Sequence, residues 1–502
     1  MIKNQLSSKI LLNYLIFFSF LIHLITINFF PTNFEGGYGQ YSNLFNEEDK
    51  IKYLKSYYIS QFNSYVFSAI GSILNYTIPF IDGFQSIKIL SAFSYFFLGY
   101  GVYNFLKFYG YKYDFTLLIL IIFLNSIIWT YGFRSFNDLF AFSLGVYAFS
   151  KTLINLDKTN SLFYALLLGV SIALKPYNLI FLIPLAIFSY LFFNSIKKIN
   201  YILGLLAIIL FPLILLNIFT YHYLGFILAP QNEDLEFAII GNDKNRDIVW
   251  VLNNFIFYIG YLTLVSLPFL FTFFLSIVGK IKKNIIFFLC IAIASSIYLE
   301  KFFFISSELD LGPLQKFFSD EIYKSLIIFL FLFFLLFIYK FLKCKKFDKK
   351  QLNICKTILI TILLYLFVLS FIKASQRYLI LPIPFIFLII FSCKQPKFFI
   401  FATLTLYLFI SSIILANYYI VGKSSKIIIE YLKTNQLIER TLPNVITPHV
   451  YHLYKNSDIQ DQKIAVRSSD YIVTYYDNNS IFSSKINFFG YEIKRFSVIK
   501  LN

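Results

Sequence analysis

Charged side chains are scarce in this chain. Asp, Glu, Lys and Arg make up 14% of its 502 residues, 58% of the residues are hydrophobic, and the mean hydropathy is +0.69. A soluble domain of average composition carries roughly 25% charged residues, so this composition excludes an ordinary soluble globular protein. Apolar runs of about 17 or more residues recur along most of the chain, and such runs are typical of transmembrane helices.

Cysteine is also rare, and its positions exclude a disulfide framework. Of the four cysteines, Cys290 lies within an apolar run, and Cys344, Cys355 and Cys393 lie beside segments that we predict to be cytoplasmic. No Cys/His spacing typical of a zinc site occurs in the sequence. Walker, dinucleotide-binding, EF-hand, HExxH and nucleophile-elbow motifs are missing as well, so none of these common enzyme classes is indicated.

Acidic residues are outnumbered by basic residues, 26 to 44, which gives a net charge of +18. This excess does not indicate nucleic-acid binding, because most of the lysines fall in short loops on one side of the predicted membrane. The acids in those inner segments are Asp114, Asp157 and Asp348, whereas the long outer loops are acid-rich. We therefore place the N-terminus in the cytoplasm and expect membrane lipid as a partner.

The apolar runs predict an all-α polytopic membrane protein with about thirteen transmembrane helices. The first run follows Lys3 and Lys9, and no signal-peptide cleavage site comes after it, so we expect an uncleaved first span. An odd number of spans places the C-terminal tail outside. We predict spans near residues 10–30, 86–106, 115–131, 138–155, 160–174, 177–194, 201–222, 252–278, 285–299, 325–343, 357–372, 378–393 and 398–421.

Two domains follow from this topology. Residues 1–421 form the membrane domain, with a long outer loop at 31–85, and residues 422–502 form a small extramembrane α/β domain on the outer side. In the second domain we predict a helix over 426–434 and strands over 471–476 and 491–501, because short β-like runs alternate there with Asn, Asp and Gly turn signals.

Ionisable residues at the ends of spans are candidates for function, because a charge at membrane depth is costly. In the first outer loop, Glu35, Glu48 and Asp49 are candidate catalytic carboxylates that take a proton from an attacking hydroxyl, and Tyr53 is a candidate for contact with acceptor or sugar. The alternative is a solvated acidic loop paired with its neighbouring lysines.

Three further candidates lie at the ends of the predicted fourth and fifth spans. Asp138 is a candidate for orienting the acceptor or base and Arg134 for binding an anionic head group. Their spacing of four also allows a simple helical ion pair. Lys175, at a Lys-Pro break between apolar segments, is either a phosphate ligand or a lysine that extends toward the membrane interface.

A last group precedes the predicted twelfth span. Lys373 and Arg377 are candidates for binding a lipid phosphate, since the guanidinium group of Arg grips phosphate oxygens through two hydrogen bonds. Tyr378 is a candidate for contact with acceptor or sugar. The alternative is that these residues anchor the span at the membrane boundary.

The order of these groups resembles the GT-C superfamily of membrane glycosyltransferases, especially its protein O-mannosyltransferase and aminoarabinose-transferase branch. The stretch from Glu48 to Tyr53 looks like that family's acidic pair followed by a tyrosine. Residues 133–149 resemble its Arg/Asp-bearing entry to the fourth span, 167–185 its Lys-Pro break, 376–389 its Arg-Tyr element before a proline, and the tail from 422 its small outer domain. Residues 61–65 stand where the family has a His-Pro-Pro stretch. The pair at 48–49 lies farther from the first span than in the family, whereas Glu35 lies at the usual distance.

The resemblance implies an inverting enzyme that transfers a sugar from a polyprenyl-phosphate donor to a hydroxyl of a glycan, lipid or protein. It further implies that Glu35 or Asp49 is the general base and that Lys175 and Arg377, assisted by Arg134, hold the lipid phosphate. No cofactor or metal is required, although the outer acids leave a divalent cation possible. We expect a multi-pass protein of a bacterial inner or plasma membrane.

Two other functions stay open from the residues. An O-antigen-type glycan polymerase or ligase also has many spans and one long outer loop. A lipid-linked oligosaccharide flippase or other transporter would place ionisable groups at the middle of the membrane in several spans. The predicted spans are nearly free of charge, and the candidate residues gather on one side, which favours an active site at the membrane surface.

Overall fold

The structure is a computed structural model that describes residues 2–29, 65–110, 115–134, 136–156, 160–192, 198–225, 248–278, 283–303, 319–343, 348–371, 375–392, 396–437, 440–442, 470–488 and 490–500. Its α-helices are α1 (Ile2–Ile25), α2 (Tyr65–Thr77), α3 (Gly83–Tyr109), α4 (Phe115–Leu124), α5 (Ser126–Phe133), α6 (Asn137–Ile154), α7 (Asn160–Leu174), α8 (Leu182–Phe192), α9 (Lys198–Leu224), α10 (Ile248–Val278), α11 (Lys283–Leu299), α12 (Asp320–Leu342), α13 (Lys349–Leu369), α14 (Pro382–Ile390) and α15 (Lys397–Thr434). Short 3-10 helices cover Thr26–Asn28, Pro176–Phe181, Glu300–Phe302 and Gln376–Ile380.

Long apolar helices dominate the described part of the chain. Within it, eight helices are long and apolar enough to cross a membrane, namely α1, α3, α9, α10, α11, α12, α13 and α15. Helices α4 and α5 add a bent apolar pair, with an angle of 66° between the two axes. These helices fit a multi-pass integral membrane protein, which agrees with the sequence prediction.

Eight of the thirteen predicted spans therefore coincide with long apolar helices. The other five coincide with helices that are shorter, more polar or bent. These are the α4–α5 pair, α6 with 18 residues, α7 with 15 residues, and the apolar stretches Pro176–Leu191 and Gln376–Ile390. A straight helix needs about 20 apolar residues to cross the hydrocarbon core, so helix length alone marks eight spans and not thirteen.

Specific residues cause the helix breaks. Asn125 ends α4, and its side-chain oxygen accepts a hydrogen bond from the Ile127 N–H at 3.1 Å, which caps α5. The Asn125 amide also donates to the Val265 carbonyl at 3.3 Å. At the Lys-Pro break, Lys175 is extended because a residue before proline avoids the helical region, and Pro176 starts the 3-10 helix. These breaks place unpaired backbone groups inside the helix bundle, where side chains satisfy them.

Glycines allow close approach where helices cross. An added Cβ at Gly101 of α3 would lie 2.8 Å from the Tyr147 nitrogen of α6, and one at Gly260 of α10 would lie 2.5 Å from the Ile327 carbonyl oxygen of α12. Small residues at such crossings are typical of membrane helices, because association there depends on tight van der Waals contact.

The C-terminal region is a small α/β unit, as the sequence predicted. The sheet has strand order β1–β2–β4–β3, with β1 (Thr441–Leu442), β2 (Tyr471–Tyr475), β3 (Phe482–Phe488) and β4 (Tyr491–Lys500). Strand β1 runs parallel to β2, and the other pairs are antiparallel. One face of the sheet covers the end of α15, where a cluster of buried apolar residues comprises Ile428, Ile429, Leu432, Val473, Phe496 and Val498.

The connection to the membrane part differs from the prediction in one respect. The helix expected at 426–434 is the last part of α15, which runs without a break from Lys397 to Thr434. Strand β3 was not predicted from the sequence. The ring of its residue Phe482 stacks on the ring of Tyr431 in α15, with centroids 3.9 Å apart. Its residues FSSKINF are too polar to stand out beside the longer apolar runs.

The crossing of α10 and α12 gives a first prediction. We expect Gly260→Ala to lower the thermal unfolding temperature of the detergent-purified protein, because the new methyl group meets a backbone carbonyl and overpacking costs about 1–3 kcal/mol. Gly204→Ala in α9 is the matched control, since apart from its own helix backbone and chain neighbours no atom of the described residues lies within 4 Å of a Cβ at that position. Equal unfolding temperatures for the two variants would show that the close crossing is not a structural requirement.

Candidate functional site

Three helix breaks meet at one place in the bundle. The first is the start of α6 at Asn137, the second is the Lys-Pro break after α7, and the third is the 3-10 helix at Gln376–Ile380 before α14. Each break carries one or two of the ionisable residues that the sequence singled out. The structure therefore brings together Asp138, Lys175, Arg377 and Tyr378, which are far apart in the sequence.

An ion pair joins the first two breaks. The Lys175 ammonium lies 2.9 Å from Oδ1 of Asp138 and 3.4 Å from Oδ1 of Asn137. The Asn137 amide in turn donates to the Leu174 carbonyl at 3.3 Å. The Asp138 side chain is 6% exposed and that of Lys175 is 17% exposed. Lys175 therefore points to a buried carboxylate and does not extend freely toward the interface.

The position of Asp138 suits a carboxylate. It lies in the first turn of α6, where the positive end of the helix dipole stabilises negative charge. Its second oxygen, Oδ2, is buried and has no hydrogen-bond partner among the described residues. One acceptor position of this buried acid is thus open to a ligand.

A pair of tyrosines joins the second and third breaks. The hydroxyl groups of Tyr177 and Tyr378 lie 3.3 Å apart, and the Arg377 guanidinium donates to the Tyr378 hydroxyl at 3.4 Å. The guanidinium also lies over the Tyr378 ring, 5.2 Å from its centroid, and the Lys175 ammonium lies 5.6 Å from the centroid of Tyr177. These contacts link Asp138, Lys175, Tyr177, Tyr378 and Arg377 into one cluster of five side chains.

Further tyrosines support the third break, and sequence reasoning missed them. Tyr365 of α13 donates to the Tyr378 carbonyl at 3.1 Å, Tyr258 of α10 accepts from the Ser375 N–H at 3.0 Å, and Tyr261 donates to the Gln376 side chain at 3.2 Å. Tyr258 and Tyr261 are three residues apart and share a face of α10. In a chain with 39 tyrosines this spacing carried no usable signal.

Asn178 fixes the Lys-Pro break against its neighbours. Its amide donates to the Ala141 carbonyl of α6 at 2.9 Å and to the Ser171 carbonyl of α7 at 3.1 Å. Gly145 lies beside it, and a Cβ there would be 3.2 Å from the Asn178 amide nitrogen. The break that presents Lys175 is therefore held on both sides by buried polar contacts.

Arg134 lies at the end of α5, outside α6. The helix with Asp138 begins at Asn137, so the helical spacing of four that would pair Arg134 with Asp138 does not apply, and the ion pair of Asp138 is formed with Lys175. The Arg134 guanidinium lies over the rings of Phe136 and Tyr131, at 4.7 and 5.7 Å from their centroids.

The remaining candidates fall outside the described residues. These are Glu35, Glu48, Asp49, Tyr53 and Lys373. In the part of the chain that the structure describes, no group of three or more His, Cys, Asp or Glu side chains is placed to hold a metal ion.

No protein-family model, curated protein or solved structure matches this chain. Its function is therefore inferred from the side chains of the site and from the order of its motifs.

The buried ion pair gives a second prediction. We expect Asp138→Asn and Lys175→Met each to destabilise the protein by about 3 kcal/mol, because each leaves one buried charge without its partner. The double variant should lose less stability than the sum of the two, and the difference measures the coupling between the side chains. Thermal unfolding in detergent provides the comparison.

An exposed ion pair of the C-terminal unit serves as the control. The side chains of Lys426 and Glu430 are 54% and 58% exposed and 3.8 Å apart, so their removal should cost less than about 1 kcal/mol. Additive effects of Asp138→Asn and Lys175→Met would contradict a direct ion pair.

Proposed function

We propose that this protein is an inverting glycosyltransferase of the GT-C type, which transfers a sugar from a polyprenyl-phosphate donor to an acceptor hydroxyl at the outer face of the membrane. The observation that carries this proposal is the cluster at the three helix breaks. There Lys175, Arg377, Tyr177 and Tyr378 direct an ammonium, a guanidinium and two hydroxyls to one place.

These groups suit a phosphate. Guanidinium and ammonium groups form charge-assisted hydrogen bonds with phosphate oxygens, and the bonds are strong where water is excluded. When the bond from the anomeric carbon to the phosphate oxygen breaks, negative charge grows on the leaving polyprenyl phosphate. Positive groups fixed beforehand at that position stabilise the transition state more than the ground state.

The two kinds of carboxylate take different roles in this mechanism. Glu35 or Asp49 accepts the proton of the acceptor hydroxyl as its oxygen attacks the anomeric carbon from the face opposite the phosphate, which inverts the configuration. Asp138 is engaged with Lys175 and orients its ammonium toward the phosphate. Arg134 and Lys373 assist in holding the phosphate, and Tyr53 and Tyr378 contact acceptor or sugar. No cofactor takes part in these steps.

The topology of the proposal has thirteen spans, with the N-terminus in the cytoplasm and the C-terminal unit outside, in a bacterial inner or plasma membrane. Eight of these spans are the long apolar helices, and the proposal assigns the other five to the shorter, more polar or bent helices. Helices α5, α6 and α7 and the stretch Gln376–Ile390 border the cluster, and irregular backbone at membrane depth is tolerated where it lines a cavity or is buried in protein. The acceptor is a hydroxyl of a glycan, a lipid or a protein.

A transfer assay tests the function. Purified protein in lipid is incubated with labelled sugars on a panel of polyprenyl phosphates, and label on the acceptor is measured for wild type, Lys175→Ala, Arg377→Ala, Glu35→Gln and Asp49→Asn. We expect the two cation variants to lose transfer by about 100-fold or more, because each removes a group that stabilises the leaving phosphate. One of the two acid variants should bind donor and fail to transfer.

Lys151→Ala is the matched control, since this lysine lies at the opposite end of α6 from Asp138. It should transfer at the wild-type rate. If no donor is turned over while the protein moves lipid-linked sugar across the bilayer, the chain is a transporter. If the product is a lengthened lipid-linked glycan made from two such glycans, it is a polymerase.

A further inference from the structure

A second cation is buried away from the candidate site. Lys88, in α3, is 2% exposed, and its ammonium donates to the Thr26 carbonyl at 2.8 Å and to the Phe29 carbonyl at 2.5 Å. These carbonyls belong to the 3-10 turn that follows α1 and to the residue after it, and the Thr26 carbonyl also accepts from the Phe29 N–H at 2.9 Å. A buried ammonium is tolerated only where such acceptors surround it, so Lys88 and the end of α1 depend on each other.

Two aromatic rings also lie near the Lys88 ammonium. Its ammonium lies 5.3 Å from the ring centroid of Tyr418 in α15 and 6.0 Å from that of Phe29. The Tyr418 ring in turn packs on Phe133, the last residue of α5, at 4.9 Å. A ring face attracts a cation, and the attraction is stronger where water is excluded.

The same junction reaches the C-terminal unit. Tyr419, next to Tyr418, packs on Phe29 at 5.1 Å and on Phe488 of β3 at 6.2 Å between ring centroids. Three chain segments that are distant in sequence thus meet at the end of α1. They are the start of α3, the end of α5 and the middle of α15 with the sheet it carries.

The chain positions next to this junction belong to the proposed mechanism. Phe29 directly precedes the first outer loop, in which Glu35 lies six residues further on, and Phe133 directly precedes Arg134. A single buried ammonium therefore fixes the point where the chain leaves α1. Through Tyr418 it also fixes the end of the helix that leads to Arg134.

We propose that Lys88 is a positioning residue for sugar transfer, which holds the exit of α1 and the end of α5 at a fixed distance from each other and so fixes the helix end that directly precedes Arg134. The proposal rests on the proposed function. It assigns Lys88 no contact with the donor. The contacts described for its ammonium are with two backbone carbonyls and the Tyr418 ring.

The test uses Lys88→Met, which keeps an unbranched side chain but lacks the terminal ammonium donor, and Lys88→Arg, which keeps a cation. We expect Lys88→Met to lower kcat for transfer by on the order of 10- to 100-fold with an unchanged KM for the polyprenyl-phosphate sugar, since misplacing groups far from the chemistry has effects of this size. Lys88→Arg should recover part of the lost kcat. Lys107→Met, an exposed lysine in the last turn of the same helix, should behave as wild type.

Amide hydrogen exchange gives a readout that does not depend on transfer. Lys88→Met should speed exchange in the peptides that contain residues 26–35 and 130–136 and leave α9 unchanged. If Lys88→Met does not fold, Tyr418→Leu removes the ring contact and should produce the same pattern to a smaller extent.

Several outcomes would overturn the proposal. A raised donor KM with unchanged kcat would make Lys88 a donor ligand. Unchanged kcat, KM and exchange would remove any role, and a lower unfolding temperature with unchanged kcat and exchange would make the lysine merely structural. If the wild-type protein transfers no sugar but Lys88→Met still speeds exchange near residues 26–29 and 130–134, the proposed function is wrong. In that case Lys88 still holds the exit of α1 and the end of α5 together.

Discussion

Inside an apolar environment, every charge and every free backbone group needs a partner, and this constraint shapes the bundle wherever its helices are interrupted. The break at Lys175 exposes a cation that Asp138 neutralises at 2.9 Å. The turn after α1 exposes carbonyls that accept from Lys88, and the bend after α4 exposes the Leu124 carbonyl, which accepts from the Ser411 hydroxyl of α15. Each interruption is therefore tied to a different helix, so the breaks that weaken individual helices also hold the bundle together.

The same constraint explains why the polar side chains of the three helix breaks form a cluster. Regular helices hide their backbone and point only side chains outward, whereas a break turns side chains of neighbouring segments toward a common point. Tyr177 follows one break and Tyr378 lies within another, and their hydroxyls meet at 3.3 Å. The tyrosines of α10 and α13 surround the third break, at Gln376–Ile380, with hydrogen bonds to its backbone and side chain. Such support keeps an irregular segment in one conformation, which a binding site for a charged ligand requires.

Much of this arrangement was predictable from sequence, and what was missed has physical causes. Lys175 before Pro176 stood out because a charge and a proline interrupt a long apolar run, and the structure pairs it with Asp138, another predicted residue. Lys88 did not stand out, since it lies inside a run that reads as an ordinary span, and no side-chain pattern reveals its hydrogen bonds to the Thr26 and Phe29 carbonyls. The number of spans was not fixed by hydropathy, because a window of apolar residues does not distinguish a crossing helix from a 15-residue one such as α7. The loop-one acids lie outside the described residues, and their roles stay predictions.

Helix α15 has a mechanical consequence. With 38 residues and a rise of about 1.5 Å per residue, it is about 57 Å long, nearly twice the thickness of a hydrocarbon core of about 30 Å. The sheet packs on the far end of this helix through Ile428, Ile429 and Leu432, while Tyr418 and Tyr419 lie about two and a half to four turns earlier. A rigid rod transmits rotation as well as displacement. A force that rotates the sheet about the helix axis therefore rotates the two tyrosines by the same angle. Rotation of the C-terminal unit would in this way change the ring contacts at the end of α1.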